Sequence, residues 1–344
     1  MTTFADGVFQ YGGMPVTPGV PVPFTGNAWW VDPVNGSDGN RGNSPSRAFK
    51  SLYKAHAVAE DGNNDVVYLI SNGQSSGSVR LSVANAQVVD PTATTGTLTW
   101  SKNALHLIGV GSTNNVAQRA RIAPPTGTYT QATFGSGNFV VVTGSGCYFS
   151  NFSVFNGFST GGVNQIAWTD NGSRNCYVNV NIFGMADAAS AADAGSRTLK
   201  IGSAGSGENT FINCTLGGDT VTRSAANATI ELAGGTPRNS FIGCIFPFQT
   251  SSATVLGVLG TGSACIDRWT LFKDCTVLNN IKSTSTQMTA FASLTSASPG
   301  GMLMFKNTAT VGVTKFGDTN ALANSYIDMP AVSAAAGGLA LNPS

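Results

Sequence analysis

The sequence predicts an all-β fold in which short strands wind into a coil and successive coils stack on one another. Two repeated phrases and the overall composition carry that reading. The first phrase reads Phe149-Ser150-Asn151-Phe152, Tyr177-Val178-Asn179-Val180, Phe211-Ile212-Asn213-Cys214, Phe241-Ile242-Gly243-Cys244, Phe272-Lys273-Asp274-Cys275 and Phe305-Lys306-Asn307-Thr308, with its aromatics spaced by 28, 34, 30, 31 and 33 residues. A period of about 31 marks one supersecondary unit stacked on copies of itself. Upstream of each aromatic lies the second phrase, an apolar segment ending in small residues: Val140–Gly144, Ile166–Trp168, Leu199–Gly202, Ile230–Gly234, Val255–Gly260 and Phe291–Leu294. Two strand signals per period, bounded by Gly, Ser or Asn, make the unit all-β. The composition agrees: 10% charged, 42% hydrophobic and 42 glycines among 344 residues describe an ordered, turn-rich chain.

A formal charge of +1 leaves no electrostatic footprint for nucleic acid or an anionic membrane. No apolar run approaches the roughly 20 residues of a membrane-spanning helix, and no basic-then-apolar N-terminus signals secretion. The expectation is a soluble protein made in the cytosol, which also removes weight from the glycosylation-like triplets at Asn151, Asn213 and Asn227.

From the N-terminus, residues 1–28 open with Phe4, Val8, Phe9 and Tyr11 and continue through Pro15, Pro18, Pro21 and Pro23. Alternating prolines favour an extended arm without a core of its own. Such an arm lies on a neighbouring subunit, on a partner, or back along its own domain, and Phe4, Phe9 and Tyr11 are its candidate anchors.

The segment Trp29-Trp30-Val31-Asp32-Pro33-Val34-Asn35-Gly36-Ser37-Asp38, its Gly-rich continuation to Ser44-Pro45, and Ala48-Phe49-Lys50-Ser51-Leu52 follow. These residues resemble the opening of pectate-lyase-like right-handed parallel β-helix proteins. The resemblance covers about 25 residues and implies a fold, not a chemistry. Read on their own, Ser44 suits an N-cap with Pro45 at the first helical position, and Phe49, Leu52, Tyr53 and His56 fall on one helical stripe. A helix over 45–60, stopped by Gly62, would cover the open end of the stack. His56 on that stripe reads as a satisfied boundary histidine.

Val66–Ile70 and Leu105–Gly109 read as the first two coil strands, with 73–103 between them as a polar interaction flap. The β-helix domain is expected over 29–312. Within it Cys214, Cys244 and Cys275 share one register, where a free thiol packs as a small hydrophobe; with no Cys-x-x-Cys pair, no metal or other cofactor is expected. The third position of the repeated phrase is Asn, Gly or Asp, the residues that tolerate the left-handed region, and fits a tight corner. Residues 313–344 read as a tail.

Candidate chemistry is sparse. Polysaccharide hydrolases need two carboxylates roughly 5–10 Å apart. Strand alternation sends Lys200 and Glu231 outward one layer apart, which supplies one carboxylate. The remaining acids, Asp187, Asp193 and Asp219, lie in loops.

The layout resembles structural proteins of tailed-bacteriophage virions, which are commonly trimeric. The resemblance implies a non-enzymatic, head-attached decoration protein, a homotrimer anchored by its arm to the major capsid protein or another virion protein. The alternative is a tailspike or depolymerase that binds or hydrolyses host surface polysaccharide through Asp187, Asp193 and Asp219.

Overall fold

A computed structural model describes residues 10–11, 14–15, 24–74, 77–81, 97–111, 120–124, 137–157, 164–202, 205–280 and 286–328. They form a right-handed parallel β-helix with three sheets. The first sheet holds ten strands, from Ala28–Val31 to Ser325–Asp328; the second and third hold eight each, ending at Ala309–Val311 and Val313–Gly317. Each turn of chain visits first, second and third sheet in that order.

The repeated aromatics are one column of the first sheet, paired in register from Phe149 to Tyr177, Phe211, Phe241, Phe272 and Phe305. Their rings stack at centroid distances of 4.8, 4.4, 4.7, 4.9 and 5.2 Å with planes within 16° of parallel. The spacing is that of neighbouring strands, so strand pairing and ring stacking reinforce each other. Cys214, Cys244 and Cys275 are free and buried beside this column, and each thiol donates to a carbonyl, of Tyr177, Phe211 and Phe241 respectively.

The corner column behaves as its residue types require. Asn151, Asn179, Asn213, Gly243, Asp274 and Asn307 all hold φ between 47° and 63°. Asn179 Nδ2 donates to Asn151 Oδ1 at 3.0 Å and Asn307 Nδ2 to Asp274 Oδ1 at 2.8 Å. Gly243 interrupts the ladder because a Cβ there would meet Asn213 Oδ1 at 2.5 Å. A second, buried ladder precedes the aromatics: Asn175 Oδ1 accepts from Cys147 N, Asn209 Oδ1 from Asn175 N and Asn239 Oδ1 from Asn209 N.

Four expectations are corrected. Each coil has three strands rather than two, because the second-sheet strands run to as few as two residues, as at Thr215–Leu216, too short to show alternation. The cap is not one helix over 45–60. Pro45–Arg47 form a 3-10 turn, the chain then extends so that Phe49 exchanges backbone hydrogen bonds with Trp30 and Asp32, and the α-helix is Leu52–Val58. Its cap is Ser51, whose hydroxyl accepts from Lys54 N at 3.1 Å, while Lys102 Nζ donates to the carbonyls of His56 and Ala57 at its C-terminal end.

The strand-like pieces of the expected flap 73–103, Val79–Arg80 and Leu98–Trp100, are coil strands of the second and third sheets; residues 82–96 lie outside the described residues. The coil also continues past 312, through Val313–Gly317, the helix Thr319–Ala323 and Ser325–Asp328, so only 329–344 remain of the expected tail and these too lie outside. Phe4 and Phe9 lie outside the described residues, as does the side chain of Tyr11, whose backbone pairs antiparallel with Met14.

Candidate functional site: the outward face of the third sheet

The strands of the third sheet put Leu199, Ile201, Ile230 and Leu232 into the core, so the residues between them face outward. One outward row runs Val141, Thr169, Lys200, Glu231, Leu259 and Ser293 in register. Lys200 and Glu231 meet as alternation predicts, with Nζ to Oε1 at 3.2 Å. Sequence reasoning missed the rest of the cluster. Arg197 Nε donates to Glu231 Oε2 at 2.7 Å, with both side chains nearly buried, and Arg197 Nη1 also donates to the carbonyls of Ala194 and Ser196. Alternation alone would point Arg197 inward with Leu199; its length lets it turn back to Glu231.

Another buried cation lies near Arg197. Arg223 is 3% exposed and its guanidinium donates to Asn227 Oδ1, Thr229 Oγ1 and the Leu256 carbonyl, and lies 5.0 Å from the Phe248 ring centroid. Burial, with Arg197's charge alongside, brings its guanidinium down to about 9, so it keeps its charge at neutral pH. Glu231 therefore pairs with Arg197 and Lys200, while Arg223 is held by neutral acceptors beside Arg197.

The loops beside this face are tied together. Asn227 Nδ2 donates to the carbonyls of Ala191 and Asp193, and Ser224 N to Ala191, which joins the loop over 217–227 to the loop over 184–196. Two of the sequence-predicted loop acids are used inside these loops. Asp187 caps the short helix Ala188–Ala191, accepting from Ser190 N and Ser190 Oγ at 2.9 Å each. Asp193 Oδ2 accepts from Asn164 N and Ser196 Oγ at 2.8 Å. Asp219 sits half-buried on the next loop. Each of Asp187 and Asp193 is engaged in its own turn rather than facing the other across a cleft.

Other titratable groups are structural. Asp170 points into the core of the same sheet, where Tyr177 Oη donates at 2.6 Å, Gly172 N at 2.9 Å and Asn175 Nδ2 at 3.1 Å. Burial pushes its carboxyl up to about 7, and those three donors oppose the rise. His56 Nε2 accepts from Ser101 N, and His106 Nδ1 accepts from Tyr148 N while its Nε2 faces Asn64 Oδ1. Burial brings both imidazoles down to about 4, helped at His56 by Lys102 and opposed at His106 by Asp65. Among the described residues no group of three His, Cys, Asp or Glu side chains is placed to hold a metal ion, and no helix is long and apolar enough to cross a membrane.

No protein-family model matches the sequence, and no curated protein matches it. Solved structures do match the fold. A pectin methylesterase mutant bound to a hexasaccharide shares 14% identity and a TM-score of 0.54 over 92% of this chain and 93% of its own. Pectin methylesterase from carrot shares 10% identity and a TM-score of 0.54 over 93% and 90%. A looser match, ORF18 of Geobacillus virus E2, has a TM-score of 0.44 and 12% identity over 74% of this chain and 46% of its own. The expectation of a non-enzymatic protein is corrected by these matches. The fold spanning more than nine-tenths of the chain is one that carbohydrate-active enzymes use, and the lack of a carboxylate pair on the strands is no ground for calling the protein inert.

Proposed function

We propose that this β-helix recognises and processes an acidic polysaccharide along the outward face of its third sheet, in the manner of a tailspike or depolymerase. The observation that carries the reading is the pairing of Arg197 and Lys200 with Glu231, with the buried Arg223 beside Arg197. The surplus of positive charge suits a uronate or other anionic sugar, because a partly desolvated cation gains most from an anion that replaces its lost water. Lys200, whose side chain is 29% exposed, is the cation that reaches the ligand; Arg197 and Arg223 hold the site's shape and field. Glu231 is the carboxylate placed to accept a sugar hydroxyl or a proton. The neighbouring fold's hexasaccharide complex supports a saccharide ligand for this architecture. The setting, a trimer on a phage virion acting on host polysaccharide, is supported by the resemblance of the layout to structural proteins of tailed-bacteriophage virions.

The test is affinity electrophoresis and calorimetry against polygalacturonate, an anionic bacterial capsule and neutral dextran, with polymer size followed over time. Retention by the anionic polymers that weakens with salt and drops at least tenfold in Lys200→Gln is expected. Equal indifference of the wild-type protein to all three polymers would sink the reading.

A further inference from the structure

We propose that a second saccharide site, for one uronate unit, lies round the corner from the third sheet, where Arg268 and Trp269 stand beside a groove in the last coils. The proposal rests on the acidic-polysaccharide reading for its class of ligand, and on none of the residues around Glu231.

The backbone sets these two residues apart. Thr236–Ile242 pairs with Ile266–Lys273 as Pro237 to Asp267 and then Asn239 to Thr270, so Arg268 and Trp269 together stand opposite Arg238 alone. An extra residue of this kind gives up regular pairing and re-aims side chains. Arg268 holds φ at 76°, a left-handed conformation that costs a long side chain energy and marks a site held by its surroundings. The side chains of Asp267 and Arg268 are 55% and 59% exposed, and Trp269 is half-buried between solvent and sheet.

The next layer makes room beside them. Gly301 pairs with Arg268 and Met302 with Trp269. A Cβ on Gly301 would meet the Arg268 backbone at 2.5 Å, so only glycine lets the two strands meet there. Gly300, Gly301 and Met302 line a groove of about 510 Å³ with Ser298, Asn324 and Ser325. Met302, 44% exposed, is shared between this groove and the strand position beside the indole.

Charge and shape point to the same ligand. Arg174 and Arg238 are both bound to Glu208. Arg268 has Asp267 as its ion-pair partner among the described residues, and at 3.7 Å that carboxylate lies beyond hydrogen-bond reach. Its planar fork is therefore open to a carboxylate, which it can hold by two parallel hydrogen bonds. Trp269 has no ring partner and no hydrogen bond among the described residues. An indole offers the C–H face of a pyranose an apolar surface and offers its hydroxyls an N–H donor. Asp267 supplies the acceptor for sugar hydroxyls. A neutral sugar would leave Arg268 unused, and an inorganic anion would leave the indole unused.

The experiment labels the full chain with 5-fluorotryptophan and follows its fluorine NMR spectrum during titration with trigalacturonate, maltotriose or inorganic phosphate. The Trp269 resonance is identified by its loss in Trp269→Phe. It is expected to move with trigalacturonate and to stay in place with the other two, and Arg268→Gln is expected to weaken the response about tenfold, the loss of one charge-assisted contact. A stationary Trp269 resonance overturns the proposal, as does an equal response to maltotriose or to phosphate. A resonance that instead moves on simple dilution of the protein overturns it in favour of contact with a second copy of the chain. The two saccharide sites fail separately: a response kept in Lys200→Gln supports this site whatever becomes of the third sheet, and a response abolished by Lys200→Gln but unaffected by Arg268→Gln overturns this site alone.

Discussion

The first and third sheets are built from the same coils, yet their outward faces differ in kind. On the first, the row after the aromatic column runs Val178, Ile212 and Ile242 and then Lys273 and Lys306, and the imidazole of His106 sits neutral beneath Phe24. On the third, the outward row carries Lys200 and Glu231, with Arg197 turned back onto the carboxylate. Both faces rest on one core, so neither difference is needed to hold the fold. The contrast teaches that the repeat specifies only what points inward. Outward positions are free to diverge, and they have diverged into a face whose middle layers carry Val178, Ile212 and Ile242 and a face that carries Lys200 beside Glu231.

Interior changes are expected to strike both faces alike and set the scale for the rest. Phe241→Ala removes a fully buried ring stacked between Phe211 and Phe272, and should cost about 4 kcal/mol of unfolding free energy in denaturant titrations. A loss under 1 kcal/mol would mean that the aromatic column does not hold the layers together.

Acid should then separate the faces. The folded pKa of His106 lies at about 4, below its ordinary 6.5, so the unfolded chain binds the extra proton first. Its stabilising contribution is complete above pH 6.5 and is lost as pH falls towards 4, a change of about 3 kcal/mol at 1.36 kcal/mol per unit. His56 adds a loss in the same direction and window. The slope of stability against pH in this range should be shallower in His106→Gln; an unchanged slope would break the assignment.

On the third face, Glu231→Gln leaves the nearly buried Arg197 without its counter-ion, and a cost of about 2–3 kcal/mol is expected in thermal or denaturant melts. Replacing Lys200 by Gln removes the more exposed partner of the same carboxylate and should change stability by under ~1 kcal/mol. A large stability loss in Lys200→Gln would make the cation structural and weaken its role as ligand contact.

Much of the interior could be read from residue order. Phe211, Cys214 and Asn213 announce three columns at once because each has one chemistry that suits its place: a ring that stacks, a thiol small enough to fill, and an amide that accepts positive φ. The buried ladder of Asn175, Asn209 and Asn239 carried the same kind of signal, an Asn two residues before Tyr177, Phe211 and Phe241, and it passed unnoticed beside the stronger phrase. The second-sheet strands were illegible because two to four residues cannot display a period. The cap helix was placed too early because the pull of Phe49 into the first sheet is a long-range contact that no local propensity records.

The candidate site divides the same way. Lys200 and Glu231 could be paired from alternation and period alone, since parallel register fixes which residue stands above which. Arg197 joined them through side-chain length, and Arg223 came beside Arg197 through the way the segments 184–196 and 217–227 lie against each other. Asp187 and Asp193, six residues apart in one loop, are bonded to Ser190 and to Ser196 and Asn164 respectively.

By itself the sequence determined that chain turns of some thirty residues stack in parallel with like residues in vertical contact, because strand pairing repeats whatever identity each register position carries. Only the tertiary structure decided that a third strand closes each turn, that the coil runs on to Asp328 and that Arg197 turns back to Glu231. Those outcomes depend on contacts between segments distant along the chain, whose energies outweigh local preference without leaving a local mark.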